Sequence, residues 1–238
     1  MDDRRAICIS CAEIERRPDS HLLWDLLGRD IGESYLLYES ENFIVVPGAG
    51  ALVPGYTLII PREHILSLGY LPDHLDTEFD TLLTGVKTWL TAEFGAEAHV
   101  FEHGAKNFRE KGGACADHAH TQVAPIGTTD IYLTALQRDF TTTETSTYLD
   151  AARDTVARGD GHPYLFTHSD THGGAIAIAT GAKSQYFRRL LAAQISKPDE
   201  WDGVLFPFLD NMRATIDAAL TLPKYLEPGT ECGSRKRR

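Results

Sequence analysis

Gly112-Gly-Ala-Cys115-Ala-Asp-His118-Ala-His120-Thr-Gln122-Val-Ala-Pro125 is the stretch from which the rest of the chain is read. Residues two apart on a β-strand point the same way, so His118, His120 and Gln122 project together while Ala119, Thr121 and Val123 meet the opposite layer. Two imidazoles and an amide on one strand face are costly to bury without partners. The pattern marks a site able to handle phosphate. Two structural histidines in a polar strand are the plainer reading, and the glycine-rich turn before them argues against it.

Toward the N-terminus, Val53 to Pro61 reads as a strand, central because its Leu58-Ile-Ile60 run is uninterrupted, and His64 lies at its exit. Tyr35 to Glu39 and Phe43 to Val46 read as an antiparallel pair joined by a polar turn. A polar, helical stretch runs from His21 to Leu27. Cys8 and Cys11 stand at the spacing that lets both sulfurs reach one metal ion, although buried thiols or a redox pair would look the same.

Leu75 to Phe94 places Leu75, Phe79, Leu82, Leu83, Val86, Trp89 and Leu90 on one helical face, with Asp73 as cap and Gly95 as stop. Ala98 to Gly104 is the next strand. The loop after it carries Lys106, Asn107, Arg109 and Lys111, a cationic set beside a glycine-rich turn that suits a polyphosphate, while a solvated loop explains each one singly.

Beyond Pro125 the character changes. Asp130 to Arg158 has helical spacing broken at Thr141-Thr-Thr143, Tyr164 to Ser169 and Gly174 to Thr180 read as a hairpin, and Ser184 to Ala193 and Phe208 to Leu220 as helices. No second Cys-x-x-Cys or His-x-His marks a repeat.

A chain of 238 residues can bury one sizeable core or two closely packed halves. It is 42% hydrophobic and 24% charged, with no apolar run near the ~20 residues of a membrane helix. A net charge of −11 argues against broad attraction to nucleic acid or anionic membrane, so neither is an expected partner. Met1-Asp-Asp-Arg-Arg5 lacks the apolar stretch of a secretory signal, which points to the cytoplasm and to thiols or metal ligands over disulfides. The basic Arg235 to Arg238 cluster reads as a solvated tail.

Taken in order, Cys8-x-x-Cys11, Val53-Pro-Gly-x-x-Leu-Ile-Ile-Pro-x-x-His64 and His118-x-His120-x-Gln122 resemble the histidine-triad (HIT) superfamily over about the first half of the chain. The resemblance implies an α+β, HIT-like fold with an antiparallel sheet and flanking helices. It divides the chain into a nucleotide-binding catalytic core over residues 8–129 and a C-terminal α/β extension over residues 130–238 packed on it. It implies a reaction at the α-phosphate of a nucleotide or nucleotide conjugate through a nucleotidyl-histidine intermediate on His120, and a homodimer. Gln122 in place of the commoner third His resembles the galactose-1-phosphate uridylyltransferase and diadenosine-tetraphosphate phosphorylase branches. Hydrolysis or nucleotidyl transfer is the first expectation, phosphorolysis the second, and a binding or scaffold protein without turnover the third.

The residue chemistry supports the mechanism separately. Neutral imidazole can attack phosphorus and later leave, provided its other nitrogen holds a proton on a fixed acceptor. Gln122 can hold a phosphate oxygen but cannot supply a proton, so the leaving group must be good already or be protonated elsewhere. In metal-containing members the matching residues are ligands, so Cys8, Cys11, His64 and His118 would hold a structural zinc, with His21 and Cys115 in reserve.

Where the family has Asn-x-Gly this chain has Glu102-His103-Gly104, and where many members have Gly-Gln-Ser or Gly-Gln-Thr it has Gly113-Ala114-Cys115. Glu102 joins His120 and Gln122 as a catalytic candidate, orienting His120 or a ribose hydroxyl or accepting a proton, against an exposed strand-end carboxylate. Lys106, Asn107, Gly113 and Cys115 are the candidate substrate-binding residues. Arg188 or Arg189 could clamp a leaving group, although surface arginines on an amphipathic helix are the preferred reading.

Overall fold

The structure is a computed structural model that describes residues 3–158 and 161–226; the Arg235 to Arg238 cluster lies outside them. Its strands are β1 (Tyr38–Glu39), β2 (Phe43–Pro47), β3 (Thr57–Pro61), β4 (Ala98–Gly104), β5 (Thr121–Pro125), β6 (Thr142–Thr145), β7 (Tyr164–Ser169) and β8 (Gly173–Ile178). They form one sheet in the order β1-β2-β3-β5-β4-β7-β8-β6, with every neighbouring pair antiparallel. The helices are α1 (Ile9–Ile14), α2 (Leu22–Leu27), α3 (Asp76–Phe94), α4 (Leu133–Asp139), α5 (Tyr148–Val156), α6 (Tyr186–Gln194), α7 (Leu209–Ala218) and α8 (Pro223–Leu226).

Helices cover both faces of the sheet, which is why its inner strands are apolar at successive positions. In β2, Phe43 and Val45 pack into the core under α3, α5 and α8, whereas Ile44 and Val46 pack into the core under α1, α2, α4, α6 and α7. The helix expected over Leu75 to Phe94 forms as α3, and Gly95 ends it in the left-handed conformation. Phe79, Leu82, Val86, Trp89 and Leu90 are its buried face, each stabilising the fold by about 1.5–3 kcal/mol relative to exposure. Gly85 interrupts that face because a Cβ there would lie 2.3 Å from the Leu226 side chain, so only glycine lets α8 lie against α3.

Several boundaries differ from the expectations, each for a local reason. Asp73 does not cap α3: the chain leaves Pro72 through a 3-10 turn at Asp73–Leu75, and the Asp73 carboxylate instead meets Arg153 at 3.3 Å. The threonine-rich break becomes β6, paired with β8, because β-branched residues suit an edge strand. The second half does more than pack on the first, since β7 pairs directly with β4 (Glu102↔Phe166, His103↔Leu165) and carries the same sheet onward.

That pairing also fixes which way Glu102 points. Its register partner Phe166 belongs to the α3/α5 core, and its carboxylate accepts from Leu68 N (2.9 Å), the Tyr148 hydroxyl (2.7 Å) and the Tyr164 hydroxyl. Glu102 thus ties the turn at Leu68, α5 and β7 together from inside the protein, 1% exposed and with no cation paired to it among the described residues. Burial pushes its pKa up to about 7, and the three donors only partly offset it.

A carboxyl whose pKa is higher folded than unfolded keeps a proton that the unfolded chain has lost, so its contribution to stability falls as pH rises from about 4.5 to about 7. The expected loss is of order 3 kcal/mol. Urea unfolding at pH 5 and pH 8 should show the stability of the wild type relative to Glu102→Gln falling by about this amount, because the titrations of Glu13, which burial raises to about 8, and of the buried histidines, which act in the opposite sense, are common to both proteins. An equal change in both proteins would count against the assignment.

Candidate functional site

Cys8 caps the N-terminus of α1, its sulfur accepting from Cys11 N at 3.5 Å, which places both thiols at one end of a short helix. His64 reaches them from just beyond β3, and His118 from just before β5. Cys11 Sγ lies 3.2 Å from His64 Nδ1 and 3.5 Å from His118 Nδ1, and Cys8 Sγ lies 3.5 Å from His118 Nδ1. One ligand atom from each of the four residues falls within 4.8 Å of all the others, so the group can hold a metal ion. His118 Nε2 donates to Pro61 O at 2.7 Å, which leaves its Nδ1 lone pair facing the thiols, the tautomer a metal ligand needs. The reserve ligands stay apart: His21 caps α2 and stacks on Trp24, and the Cys115 thiol is exposed.

The ladder of β5 begins at Thr121, so His118 precedes the strand. The cause is visible at Pro61, whose carbonyl accepts from the His118 ring, and at Ala119, whose amide turns to Ile65 O at 2.7 Å. The expected division of faces nevertheless holds. Ala119 and Val123 lie in the α3/α5 core, while Gln122 points into the other layer toward Tyr56 and His103.

His120 is half-buried, and its Nδ1 lies 2.8 Å from the His118 carbonyl oxygen. A carbonyl can only accept, so the ring proton is on Nδ1 and Nε2 keeps its lone pair. Burial lowers the pKa of His120, against that hydrogen bond, and favours the neutral ring. Two residues on, Gln122 Oε1 accepts from the Tyr56 hydroxyl at 2.5 Å, and Gln122 Nε2 lies 3.2 Å from His103 Nδ1. Burial drives His103 down to about 3, helped by the neighbouring His120 and Arg188, so it is neutral. With one ring proton, and with Phe187 N 3.4 Å from its Nε2, His103 sets its tautomer and the Gln122 amide orientation as a pair. The arrangement can present a neutral imidazole lone pair beside a fixed amide, the chemistry of attack at phosphorus.

Of the remaining candidates, Gly113 and Cys115 lie near His103, Tyr56 and Arg188, whereas Glu102, Lys106 and Asn107 do not join them. Glu102 lies on the far face of the sheet from His103 and Gln122, because adjacent residues of β4 point oppositely. Asn107 orders its own loop, Oδ1 accepting from Arg109 N and Glu110 N and Nδ2 donating to Glu110. Lys106 reaches Glu110 at 3.6 Å. Gly113, at φ +85°, accepts from Gln185 N at 2.9 Å, and a Cβ there would meet Lys183 O at 2.7 Å, so it lets the glycine-rich turn dock under the segment leading into α6. Cys115 is within electrostatic reach of Arg188. A cavity of about 410 Å³ lies on the opposite face, among Asp76, Lys87, Tyr148 and His168, and contains none of these candidates.

Tyr56 and His103 are neighbours for which the sequence offers no motif, and Arg188, a possible leaving-group clamp by sequence though more readily a surface charge, lies beside them. Strand alternation was the available signal for His103, since it shares the parity of Phe101 and not of Glu102. Tyr56 and Arg188 are joined to the site only by long-range packing.

No family model matches this chain, and no curated protein matches it. Among solved structures it is similar to a hypothetical histidine triad nucleotide-binding protein from Sulfolobus tokodaii strain7, with 24% identity, a TM-score of 0.31, and coverage of 40% of this chain and 62% of that one. It is also similar to a Hit-like protein involved in cell-cycle regulation from Bartonella henselae, with 19% identity, a TM-score of 0.33, and coverage of 48% of this chain and 86% of that one.

The four-residue cluster predicts about one divalent metal ion per chain by elemental analysis of purified protein. Cys8→Ala or Cys11→Ala should lose the metal and lower Tm by roughly 5–10 °C, the shift of a loss of a few kcal/mol in a domain of this size. Metal-free protein with an unchanged Tm would show that the thiols serve packing alone.

Proposed function

We propose that this chain is a histidine-triad enzyme that hydrolyses or transfers a nucleoside monophosphate from a nucleotide conjugate, with His120 as the nucleophile. The observation that carries the reading is the 2.8 Å contact between His120 Nδ1 and the His118 carbonyl, which leaves the ring's lone pair on Nε2. Nε2 attacks the α-phosphorus, the bond from phosphorus to the bridging oxygen breaks, and the leaving phosphate departs with the electron pair. The positive charge that develops on the imidazole is stabilised by the same carbonyl. Water or another acceptor then attacks phosphorus and loses its proton to solvent, and the bond to Nε2 breaks with its electron pair returning to the ring.

Gln122 fits the role of a fixed hydrogen-bond donor to a non-bridging phosphate oxygen, because Tyr56 and His103 hold its amide in place. It supplies no proton, which favours a phosphate or pyrophosphate leaving group over an amine. Glu102 has no part in this reading, since its carboxylate is buried on the other face. Phosphorolysis differs only in the acceptor, and a binding protein without turnover would keep the fold but have no need of an aligned His120.

Zinc suits the Cys8, Cys11, His64 and His118 group. A tetrahedral zinc with its usual bond lengths to sulfur and nitrogen has S···N edges of about 3.5 Å; three of the four S···N separations here are 3.2–3.5 Å, and all four ligand atoms lie within 4.8 Å of one another. Four protein ligands leave no open position, so bound zinc would supply structure and no reaction step. Those residues would fasten α1 to the ends of β3 and β5 beside His120.

Incubation with α-³²P-labelled nucleoside diphosphate or dinucleoside polyphosphate should leave an acid-labile label on the wild type. His120→Ala should remove the label and lower kcat/KM by about 10³-fold or more, with Tm nearly unchanged because the ring is half-buried. Wild-type turnover in His120→Ala would defeat the mechanism, and release of the label by phosphate in preference to water would favour phosphorolysis.

A further inference from the structure

Arg188 carries a charge for which the described residues supply no counter-charge. It stands in the first turn of α6, 5% exposed, and its guanidinium donates from Nε to Trp201 O (2.9 Å), from Nη2 to Gly50 O (2.7 Å) and from Nη1 to Ala49 O (3.5 Å). These are neutral acceptors, and among the described residues no carboxylate forms an ion pair with it. The nearby Asp202 is turned to its own loop, Oδ1 accepting from Val204 N and Leu205 N, with Oδ2 3.4 Å from Gln185 Nε2. A guanidinium has five N–H donors, so one remains after these carbonyls and the Tyr56 hydroxyl are served. Burying a cation with no opposite charge is unfavourable unless something else brings one.

The position says what that would be. Arg188 Cζ lies 5.4 Å from the centre of the Tyr56 ring, and the Tyr56 hydroxyl donates to Gln122. α6 begins at the same place, with Phe187 N 3.4 Å from His103 Nε2 and no acidic residue in its first turn, so the positive end of the helix faces the same side chains. A buried guanidinium and a helix N-terminus therefore converge on the Gln122 side of His120.

We propose that Arg188 anchors an anion subsite for the phosphate of the departing group, so that the site selects conjugates whose leaving group carries phosphate. The subsite rests on the reading of His120 as nucleophile and refines it, because the C-terminal half then supplies the leaving-group specificity. The guanidinium, fixed by its carbonyl partners, holds its charge and its remaining donor in one direction, which the flexible ammonium of a lysine does not reproduce.

Two measurements on the intact metal-replete chain test this. Calorimetric titration with inorganic pyrophosphate should give binding to the wild type, weakened about ten-fold or more in Arg188→Gln and less in Arg188→Lys. The ratio of kcat/KM for a nucleoside diphosphate to that for a nucleoside monophosphate aryl ester, whose departing group has no phosphate, should fall about 30-fold in Arg188→Gln. Failure of the wild type to bind pyrophosphate, equal affinity in wild type and Arg188→Gln, or equal losses on both substrates would overturn the proposal and leave Arg188 as a tie between loops. Should Arg188→Gln not fold, Arg188→Lys decides: affinity reduced by about three-fold or more supports the subsite, and unchanged affinity overturns it. Absence of turnover by the wild type would defeat the reading of His120 alone, while the pyrophosphate titration would still decide the subsite.

Discussion

His118 is the residue on which the rest of the site depends, because three of its groups are committed at once. Its Nδ1 faces two thiols, its Nε2 donates to the last carbonyl of β3, and its own carbonyl takes the Nδ1 proton of His120. Moving any one of these moves the others, since the ring and the carbonyl belong to a single residue between two fixed elements. The orientation of His120 is thereby inherited from the cluster at α1, which is far away in sequence and adjacent in space. This gives a physical reason for a chain to hold four ligand-type side chains next to a half-buried imidazole.

The sheet imposes a second constraint. Both faces are covered, so each strand sends alternate residues into two different cores, and a site can occupy only one of them. Gln122, His103 and Tyr56 share one face, whereas Glu102 is committed to the other with Tyr148 and Tyr164. The continuation of the sheet through β7 and β8 lets the C-terminal half take part: α6 lies over the face of β4 that carries His103, with Phe187 packed on that ring at 5.1 Å. Residues from both halves thus meet at one place.

Much of this was legible in the sequence. The period-two pattern around His120 separates Ala119 and Val123 from Gln122, the helical face of α3 is readable residue by residue, and the two cysteines and two histidines come together as the family resemblance implies. Three things were not legible, for different reasons. Asp73 looked like a cap because residue type carries that signal, but Pro72 and Arg153 determine where its carboxylate goes. The threonine-rich break looked like a gap in a helix, because an edge strand of four residues is too short to show a period. Arg188 looked like a surface charge because amphipathic spacing in α6 does not report the carbonyls of Gly50 and Trp201 that enclose it.

The central claim is that the His118 carbonyl holds the proton of His120 on Nδ1 and leaves Nε2 as the free base. Long-range ¹H–¹⁵N correlation spectra of histidine-labelled protein near neutral pH measure it directly, because protonated and lone-pair imidazole nitrogens resonate far apart. The account predicts a protonated Nδ1 and an unprotonated Nε2 for the resonances that disappear in His120→Ala. A proton on Nε2, with Nδ1 bare, would contradict it.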